Sequence, residues 1–370
     1  MILDGTRLRT ADLRRIGKEI ERGGIIGFPT DTVYGLGCDA FNPAAVARMY
    51  ALKKRKRTKP FVLFVSARSQ VNQYAQPNAA ATRLIDGFLP GPLTVIMTPS
   101  DSSPAALVRA KRRIGVRVPD NGIILEVLRM LPTPLATTSA NRSGEEEATT
   151  AQMVTSRFIG GEIEMVIDGG PCDHPPSAVV DTTSIPAALL RKGRISILEI
   201  EKTLEQEIRV GQEIRLVVLF VCTGNSCRSP MASGLLKRRL SGVAKRKVRV
   251  VSAGTSTIPG LPPTDFACEA AKEHGFDISL NRSRVLSRDM LERADLVIGF
   301  ERHHLTVVSQ LLPEASPRSF LLKEFGRARP PKRASIADPV RGGLKVYERC
   351  MEEIDGCMGR LVDYLEGKFR

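Results

Sequence analysis

A chain of 370 residues exceeds the usual size of one domain, so two domains are expected. Hydrophobic residues make up 42% and charged residues 26% of the sequence, which excludes a mainly disordered or fibrous protein. The net charge of +15 favours anionic partners such as nucleotides, phosphoproteins, RNA or acidic lipid, and a solvated basic surface is an equally good reading.

The N-terminal segment MILDGTRLRTADLRR is polar and lacks the apolar core of a signal peptide. No apolar run approaches the roughly 20 residues that a membrane helix needs. We therefore expect a cytoplasmic protein that does not span a membrane.

Up to about residue 205, short apolar runs alternate with helical patterns, which is typical of parallel α/β sheets. The predicted strands are 23–28, 61–65, 93–97, 114–118, 133–137, 165–168 and 178–183. Two of the helices predicted between them are 43–54 and 121–130.

Polar segments recur at the ends of these strands, where α/β sheets place ligands. They are 28–37, 52–60, 90–97, 115–121, 137–145, 166–171, 176–183 and 189–196. One of them contains a basic run too dense for a single helix face, which suits a polyphosphate: Lys53, Lys54, Arg55, Lys56, Arg57 and Lys59. No glycine-rich loop ends in Gly-Lys-Ser/Thr, so an ordinary kinase or GTPase is not indicated.

In this order the segments resemble the YrdC/TsaC family, the threonylcarbamoyl-AMP synthases, over roughly residues 10–200. The resemblance implies a twisted mixed sheet with helices. It implies ATP binding by Lys53, Arg55, Ser139, Asn141 and Arg191. It implies threonine binding by Thr30, Thr32, Tyr34, Arg117 and Ser177. The chain departs from the family at Ala178, where Thr is common.

The resemblance also implies a nucleotidyltransferase reaction. L-threonine, bicarbonate and ATP would give threonylcarbamoyl-AMP and pyrophosphate, for N6-threonylcarbamoyladenosine modification of tRNA. We expect Mg²⁺ to assist and tRNA and its threonylcarbamoylation machinery to be partners. No general base is evident, so positioning and electrostatics would carry catalysis. An unstable product favours a closable cavity, with 191–215 as the candidate lid.

The charged segment 197–215 marks the predicted boundary, between domains 1–205 and 215–370 with a linker at 206–214. An extra helix docked on one domain is the alternative. Beyond it, strands are predicted at 216–221, 248–252, 294–300 and 319–325. Helices are predicted near 230–240, 264–274, 287–294 and 343–368.

The segment LFVCTGNSCRSPMA follows the first of these strands. Gly224 and Asn225 tolerate left-handed backbone, and Pro230 suits the first turn of a helix. Such a loop turns its N–H groups toward an anion, and Arg228 adds a planar fork for two phosphoryl oxygens. A thiol in that field is expected to be ionised, which would make Cys222 a nucleophile.

Two further side chains complete this predicted chemistry. The hydroxyl of Ser229 is placed to hydrogen-bond the thiolate of Cys222. Asp338, before the rigid Pro339, is the candidate general acid for the leaving group.

These residues resemble the low-molecular-weight protein phosphatase family over roughly residues 215–370. The resemblance implies a flavodoxin-like parallel sheet, a phosphocysteine on Cys222, acid/base work by Asp338 and no cofactor. It implies a phosphate-binding loop of Thr223, Gly224, Asn225, Ser226, Cys227 and Arg228, with Ser229 beside it.

Two departures bear on the phosphorylated protein that would be the substrate. Tyrosine-specific members commonly have aromatic residues after Asp-Pro, where this chain has Val340, Arg341, Gly342 and Gly343. They also tend to have an aliphatic residue in place of Ser226. Both features look more like the protein-arginine phosphatase branch, and we hypothesise phosphoarginine over phosphotyrosine.

The seven cysteines are odd in number and scattered, and the four histidines do not stand beside them in zinc spacing. We expect neither a disulfide framework nor a structural zinc site. Cys227 either traps an oxidised Cys222 as a disulfide or is a neutral neighbour. Arsenate reduction is not indicated, because Cys268 is isolated and Cys350 and Cys357 lie on the last predicted helix.

A different function class is an RNA-binding module attached to a tyrosine phosphatase, which the basic run favours. With 5% aromatics and no Trp, stacking platforms for single-stranded RNA are sparse, so the two-enzyme reading is preferred. A third reading makes one half a catalytically dead regulator, which Cys222, Arg228 and Asp338 oppose for the second half.

Overall fold

The computed structural model describes residues 1–108, 112–158, 160–172, 174–329 and 331–370. The chain divides into two compact units. The first comprises Met1–Ile195 and Ile200–Ile208, and the second comprises Ser196–Glu199 and Arg209–Arg370. The division falls inside the charged segment 197–215, whose first part is a helix.

The first unit is built on a sheet with helices around it. Its strands are β1 (Ile2–Asp4), β2 (Ile26–Phe28), β3 (Gly35–Asp39), β4 (Val62–Phe64), β5 (Ala75–Gln76), β6 (Leu93–Pro99), β7 (Ile114–Arg117), β8 (Leu135–Ser139), β9 (Met165–Asp168), β10 (Ala178–Asp181) and β11 (Ala188–Arg191). Its helices are α1 (Thr10–Glu21), α2 (Pro43–Leu52), α3 (Val71–Tyr74), α4 (Ala79–Phe88), α5 (Gly122–Met130) and α6 (Ala151–Arg157). Helix α7 (Ile197–Leu204) spans the division between the units.

The strand order is β1-β9-β2-β3-β8-β4-β7-β6-β10-β11, with β5 beside β6. Strands β9, β7 and β10 pair in parallel with β1, β4 and β6. Strands β3 and β8 are antiparallel to their neighbours. The sheet is therefore mixed, as the family resemblance implied, and the parallel pattern expected from the alternation alone was wrong for this unit.

All seven strands predicted for this unit are present, most with shifted or shorter bounds. Strands β1, β3, β5 and β11 were not predicted, and β3 has a clear reason, because its sequence GLGCD is rich in glycine. The structure explains that composition: a Cβ on Gly35 or Gly37 would lie 2.9 or 2.8 Å from the ring of Phe28 on the neighbouring strand. Close packing of that ring thus excludes the β-branched residues by which strands are usually found.

The core of the first unit lies between α1, α5 and one face of the sheet. Ile16 and Ile20 of α1 pack with Phe28 of β2 and Val127 of α5. Helix α5 begins after Asn121, whose side-chain oxygen accepts hydrogen bonds from the N–H groups of the following turn. These helices therefore cover one face of the sheet.

The second unit is a parallel sheet flanked by helices, as predicted. The strands of its sheet are β13 (Leu216–Cys222), β14 (Val248–Gly254), β15 (Leu296–Gly299) and β16 (Ser319–Leu321), and the two-residue strand β12 (Arg209–Val210) lies outside this sheet. Its helices are α8 (Arg228–Arg239), α9 (Gly242–Lys247), α10 (Asp265–Glu273), α11 (Arg288–Arg293), α12 (Arg302–Leu311) and α13 (Leu344–Gly367). Helices α9 and α12 had not been predicted.

The sheet of this unit has the order β14-β13-β15-β16, and every pair is parallel. After β13 the chain forms β14 on one side of that strand and later forms β15 on its other side. Ligands of open α/β sheets bind at such a point, beyond the carboxyl end of the strand. Here that position is occupied by the loop after Cys222. In the part of the chain that the structure describes, no helix is long and apolar enough to cross a bilayer.

Candidate active sites

A cavity opens at the strand ends of the first unit. It encloses about 540 Å³, part of which is open to solvent. Of the predicted site residues, those that line it are Thr30, Thr32, Tyr34, Arg55, Arg117, Ser139, Ser177 and Arg191. Three guanidinium groups and several hydroxyls thus face one space, which fits an anionic ligand with polar substituents.

Lys53 lies at the end of α2 and is 1% exposed. Its Nζ donates hydrogen bonds to the carbonyl oxygen of Ser139 and to Oδ1 of Asn141, the latter at 3.2 Å. The hydroxyl of Ser139 donates to the same Asn141 oxygen at 2.5 Å. The structure therefore brings Lys53, Ser139 and Asn141 together, with Ser139 at the cavity wall. Burial lowers the pKa of Lys53 to about 7, and the nearby Arg55 contributes in the same direction.

The rest of the basic run does not act as one cluster. Arg55 lines the cavity, and its guanidinium donates to the carbonyl oxygens of Lys59 at 2.9 Å and Pro60 at 3.0 Å. The remaining members, Lys54, Lys56, Arg57 and Lys59, are exposed. Only two of the six basic residues, Lys53 and Arg55, are thus placed at the candidate site. The density of the run had suggested that more of its members would bind a polyphosphate.

Arg117 is buried beside the segment that contains Thr30 and Thr32. It forms an ion pair with Asp31 at 2.6 Å and donates to the hydroxyl of Thr32 at 3.3 Å and to the carbonyl oxygen of Gly91 at 3.0 Å. The second oxygen of Asp31 is buried and has no hydrogen-bond partner among the residues that the structure describes. Asp31 was missed by the sequence analysis, although an acidic residue between two threonines of a predicted site was the available signal.

The opposite wall of the cavity is built on the parallel pair β6 and β10. Arg191 donates to the carbonyl oxygen and to the hydroxyl of Ser177, both at 2.9 Å. The hydroxyl of Thr94 in β6 lies 3.1 Å from that of Ser177, the residue directly before β10, which pairs with β6 in parallel. Burial lowers the pKa of Arg191 to about 10, so its guanidinium stays charged at neutral pH.

Tyr34 lines the cavity, but its hydroxyl is engaged elsewhere. The hydroxyl donates to the carbonyl oxygen of Gly170 at 2.8 Å and accepts from the N–H of Gly169 at 3.1 Å. Asp168 lies 3.2 Å from the same oxygen. In this structure Tyr34 therefore offers its ring to the cavity while its hydroxyl fixes the 168–170 turn.

The second candidate site is the loop between β13 and α8. Asn225 has left-handed backbone (φ 52°), as expected, whereas Gly224 does not. The amide of Asn225 donates to the hydroxyls of Ser229 at 2.9 Å and Ser252 at 3.0 Å. Its oxygen accepts from the N–H of Arg284 at 3.0 Å. These bonds fix the middle of the loop from both sides.

Cys222 is 2% exposed, and its Sγ lies 2.9 Å from the hydroxyl oxygen of Ser229. The contact with Ser229 is the one predicted. The prediction that this thiol is ionised is not supported. Burial raises the pKa of Cys222, while the hydrogen bonds of Ser229 and the charge of Arg228 act in the opposite direction. Removal from water outweighs the positive field of the loop, which the sequence reasoning had taken to dominate.

Arg228 is buried, and its guanidinium forms ion pairs with Asp338 and Glu301 and a hydrogen bond of 3.0 Å to the carbonyl oxygen of Ile336. Within the described part of the chain, its Nε has no hydrogen-bond partner. The structure therefore brings Asp338 from a distant segment to the same site as Cys222 and Arg228. Glu301 was missed, because nothing in the local sequence connects the start of α12 with the loop.

All seven cysteines are free thiols, two in the first unit and five in the second. Cys227 is buried with its Sγ 3.5 Å from the hydroxyl of Tyr347 and 3.6 Å from that of Thr264. Cys268 lies on α10, and Cys350 and Cys357 lie on α13. A disulfide between Cys222 and Cys227 stays a prediction.

Comparison with known proteins relates the first unit to a family. A family model described as telomere recombination (Sua5/YciO/YrdC) matches residues 18–193. A threonylcarbamoyl-AMP synthase of Mus musculus is 31% identical over 204 residues, which are 55% of this chain and 72% of that protein. The chain belongs to the threonylcarbamoyl-AMP synthase family. The structure of Pyrococcus abyssi Sua5 complexed with L-threonine is also similar, with 25% identity, a TM-score of 0.55, and coverage of 87% of this chain and 99% of that one.

The synthase-family unit is followed by a second one of another family. A family model described as low molecular weight phosphotyrosine protein phosphatase matches residues 217–369. The YwlE arginine phosphatase from Geobacillus stearothermophilus is 33% identical over 41% of this chain and 94% of that chain, with a TM-score of 0.38. The predicted fusion of a synthase-family unit with a phosphatase-family unit is confirmed.

Proposed function

We propose that the first unit makes threonylcarbamoyl-AMP and pyrophosphate from L-threonine, bicarbonate and ATP. The observation that carries this is the buried group of Lys53, Ser139 and Asn141 beside a cavity lined by Arg55, Arg117 and Arg191. Two similar proteins support it: the mouse protein is a threonylcarbamoyl-AMP synthase, and the archaeal structure is a complex with L-threonine.

The division of labour follows from charge. Lys53, Arg55 and Arg191 would neutralise the triphosphate, while Arg117 with Thr30 and Thr32 would hold the zwitterionic amino acid. The amine of threonine condenses with bicarbonate to a carbamate and releases water. A carbamate oxygen then attacks the α-phosphorus of ATP, the new O–P bond forms, and the bond to the β-phosphate oxygen breaks. Basic side chains that already face the leaving pyrophosphate lower the barrier without having to move.

Mg²⁺ is expected to accompany the nucleotide. Among the described residues that line the cavity there is no Asp or Glu, the side chains that usually anchor this ion. The hydroxyls of the wall and the phosphate oxygens of ATP fit it better than a preformed protein site would. Its contribution would be charge neutralisation on the phosphates, and the chain's own residues would position the two substrates.

The experiment that tests this proposal is product analysis with ¹³C-bicarbonate. We expect mass spectrometry to find an adenylate that gains one mass unit from the label and appears only with threonine. No labelled adenylate, together with tight RNA binding that weakens steeply with salt, would instead favour the RNA-binding module.

Lys53 gives the proposed reaction a pH dependence. Its pKa of about 7 reflects burial, and a bound triphosphate would raise it by favouring the charged amine. Protonated Lys53 binds the nucleotide, so ATP affinity falls as pH rises above the pKa of the free protein. We expect the Kd for ATP to increase about tenfold between pH 7 and 8.5, and far less in Lys53→Met. Calorimetric titrations at several pH values measure it, and equal slopes in both proteins would contradict the assignment.

We propose that the second unit hydrolyses phosphorylated side chains of proteins through Cys222. The thiolate attacks phosphorus to form an S–P bond, and the bond to the leaving group breaks as Asp338 supplies a proton. Water then cleaves the S–P bond and releases phosphate. Because burial opposes ionisation of Cys222, the hydroxyl of Ser229 at 2.9 Å and the charge of Arg228 are the groups that stabilise the thiolate.

Within this proposal, phosphoarginine is the favoured substrate. The hydroxyl of Ser226 stands in the phosphate loop, and the four residues directly after Pro339 include no aromatic side chain that could stack on a phenol ring. A hydroxyl can hydrogen-bond the nitrogen of a guanidinium leaving group, which an aliphatic side chain cannot.

Replacing Ser226 by Ile tests this preference. We expect the ratio of kcat/KM for phosphoarginine to that for phosphotyrosine to fall about tenfold, the effect of losing one hydrogen bond to a charged group. Ser309→Ile, at an exposed position of α12, is the control and should leave the ratio unchanged. Comparable turnover of both phosphoamino acids by the wild type, unaffected by the substitution, would remove the hypothesis.

A further inference from the structure

His304, at the start of α12, is fully buried and has both ring nitrogens engaged. Its Nδ1 accepts hydrogen bonds from the backbone N–H groups of Phe300 at 3.3 Å and Glu301 at 3.1 Å. A nitrogen that accepts two N–H bonds carries no proton itself. The neutral ring therefore has its proton on Nε2, which becomes an obligatory donor.

That donor faces the phosphate loop. The Nε2 of His304 lies 3.2 Å from the hydroxyl oxygen of Thr223, the residue directly after the nucleophile. The backbone of this part of the loop is held from the other side, since the carbonyl oxygens of Cys222 and Thr223 accept from the N–H groups of Thr255 at 2.9 Å and Ser256 at 3.0 Å. The side chain of Thr223 thus links the first turn of the loop to α12.

We propose that His304 is a positioning residue of the phosphatase site, which holds Thr223 and thereby the first turn of the phosphate loop in the anion-binding conformation. The inference rests on the proposed phosphatase function of the second unit. His304 touches neither the nucleophile nor the leaving group. It acts through the loop, by keeping the peptide next to Cys222 from relaxing when the site is empty.

A metal site is the competing explanation for this corner of the fold. Glu301, His303 and His304 bring one ligand atom each within 4.8 Å of one another. A metal on Nε2 of His304 would need the proton on Nδ1, where two backbone N–H groups already donate. The carboxylate of Glu301 is in turn paired with Arg228. The hydrogen bonds of the described residues therefore favour positioning over metal binding.

The donor persists across the pH range in which a phosphatase works. Burial lowers the pKa of His304 to about 3, and the neighbouring His303 and Arg228 act in the same direction. The ring thus stays neutral, and its single proton remains on the side of Thr223.

The experiment is a double-mutant cycle on the full chain. His304→Asn keeps an oxygen near the N–H groups of Phe300 and Glu301 but is too short to reach Thr223, and Thr223→Val removes the acceptor. We expect each single change to lower kcat/KM for p-nitrophenyl phosphate about tenfold and the double change to cost no more than the larger single one. Thr223→Ser, which keeps the hydroxyl, should restore activity. His303→Asn is the control, because its exposed contact with the same hydroxyl at 3.2 Å is replaceable by water.

Two outcomes would overturn the inference: a change below twofold in His304→Asn, or effects of the two substitutions that multiply. Phosphate affinity separates this result from failure of the proposed function. If the wild type hydrolyses nothing, the proposed function fails, and the Kd of each variant for inorganic phosphate, measured by calorimetry, still tests whether His304 and Thr223 are coupled. Circular dichroism shows whether His304→Asn has folded. If it has not, the comparison of Thr223→Val with Thr223→Ser tests the inference instead.

Discussion

Cys222→Ser should abolish phosphatase activity and leave the synthase reaction unchanged. The loop and Arg228 would still bind phosphate, but a serine hydroxyl is far less acidic than a thiol and stays protonated, so it is a much weaker nucleophile than a thiolate. We expect kcat/KM for a phosphorylated substrate to fall at least about 1,000-fold, as when other enzymes lose their nucleophile. Phosphate release and pyrophosphate release, measured on the same preparation, give the two activities.

The control for this prediction is Cys268→Ser on α10. It makes the same chemical change at a half-buried cysteine outside the loop. It should leave both activities within about twofold of the wild type. Phosphatase activity above a tenth of the wild-type value in Cys222→Ser would show that another group is the nucleophile.

Lys53→Met should lower the rate of the synthase reaction, and this is the second largest effect that we expect. Methionine fills the buried space of the lysine stem without its charge, so the change removes the ammonium and its bonds to Ser139 and Asn141 rather than creating a cavity. The loss of one preorganised charge that faces a leaving group typically costs 10²–10³ in rate, and we expect a decrease of about that size. Pyrophosphate release from ATP with threonine and bicarbonate measures it.

Lys56→Met provides the matched control, since Lys56 belongs to the same basic run and is exposed. Its pyrophosphate release should change less than about threefold, because exposed charges are screened by solvent. Equal losses in both variants would mean that the run acts by its overall charge. That outcome would favour a polyanion-binding surface over a defined triphosphate site.

The elements of the fold were predictable where packing leaves a periodic trace. The buried run that became β13 and the long amphipathic pattern of α13 were both found from sequence. Strand β3 was not, because the ring of Phe28 demands glycine at Gly35 and Gly37. Helix α12 was not, because its polar start RHH gives no apolar signal and its N-terminus is capped by a histidine, His304, which accepts from the backbone N–H of Glu301.

The candidate sites were predictable as residue types but not as environments. The basic run by itself does not distinguish Lys53 from Lys56, the family resemblance selects Lys53, and the fold shows that Lys53 is the buried one. The pairing of Arg228 with Glu301 and Asp338 needs three distant segments to meet. The same holds for the thiol of Cys222, whose pKa is set by burial that its own loop does not reveal.

Pyrophosphate release by the wild-type chain, with ATP, L-threonine and bicarbonate present and each omitted in turn, tests the account most directly. Because L-threonine and bicarbonate must both meet ATP in one cavity, we expect pyrophosphate release only from the complete mixture. Omission of any one substrate should reduce the rate to near background. Release that continues at the same rate without threonine or bicarbonate would contradict it.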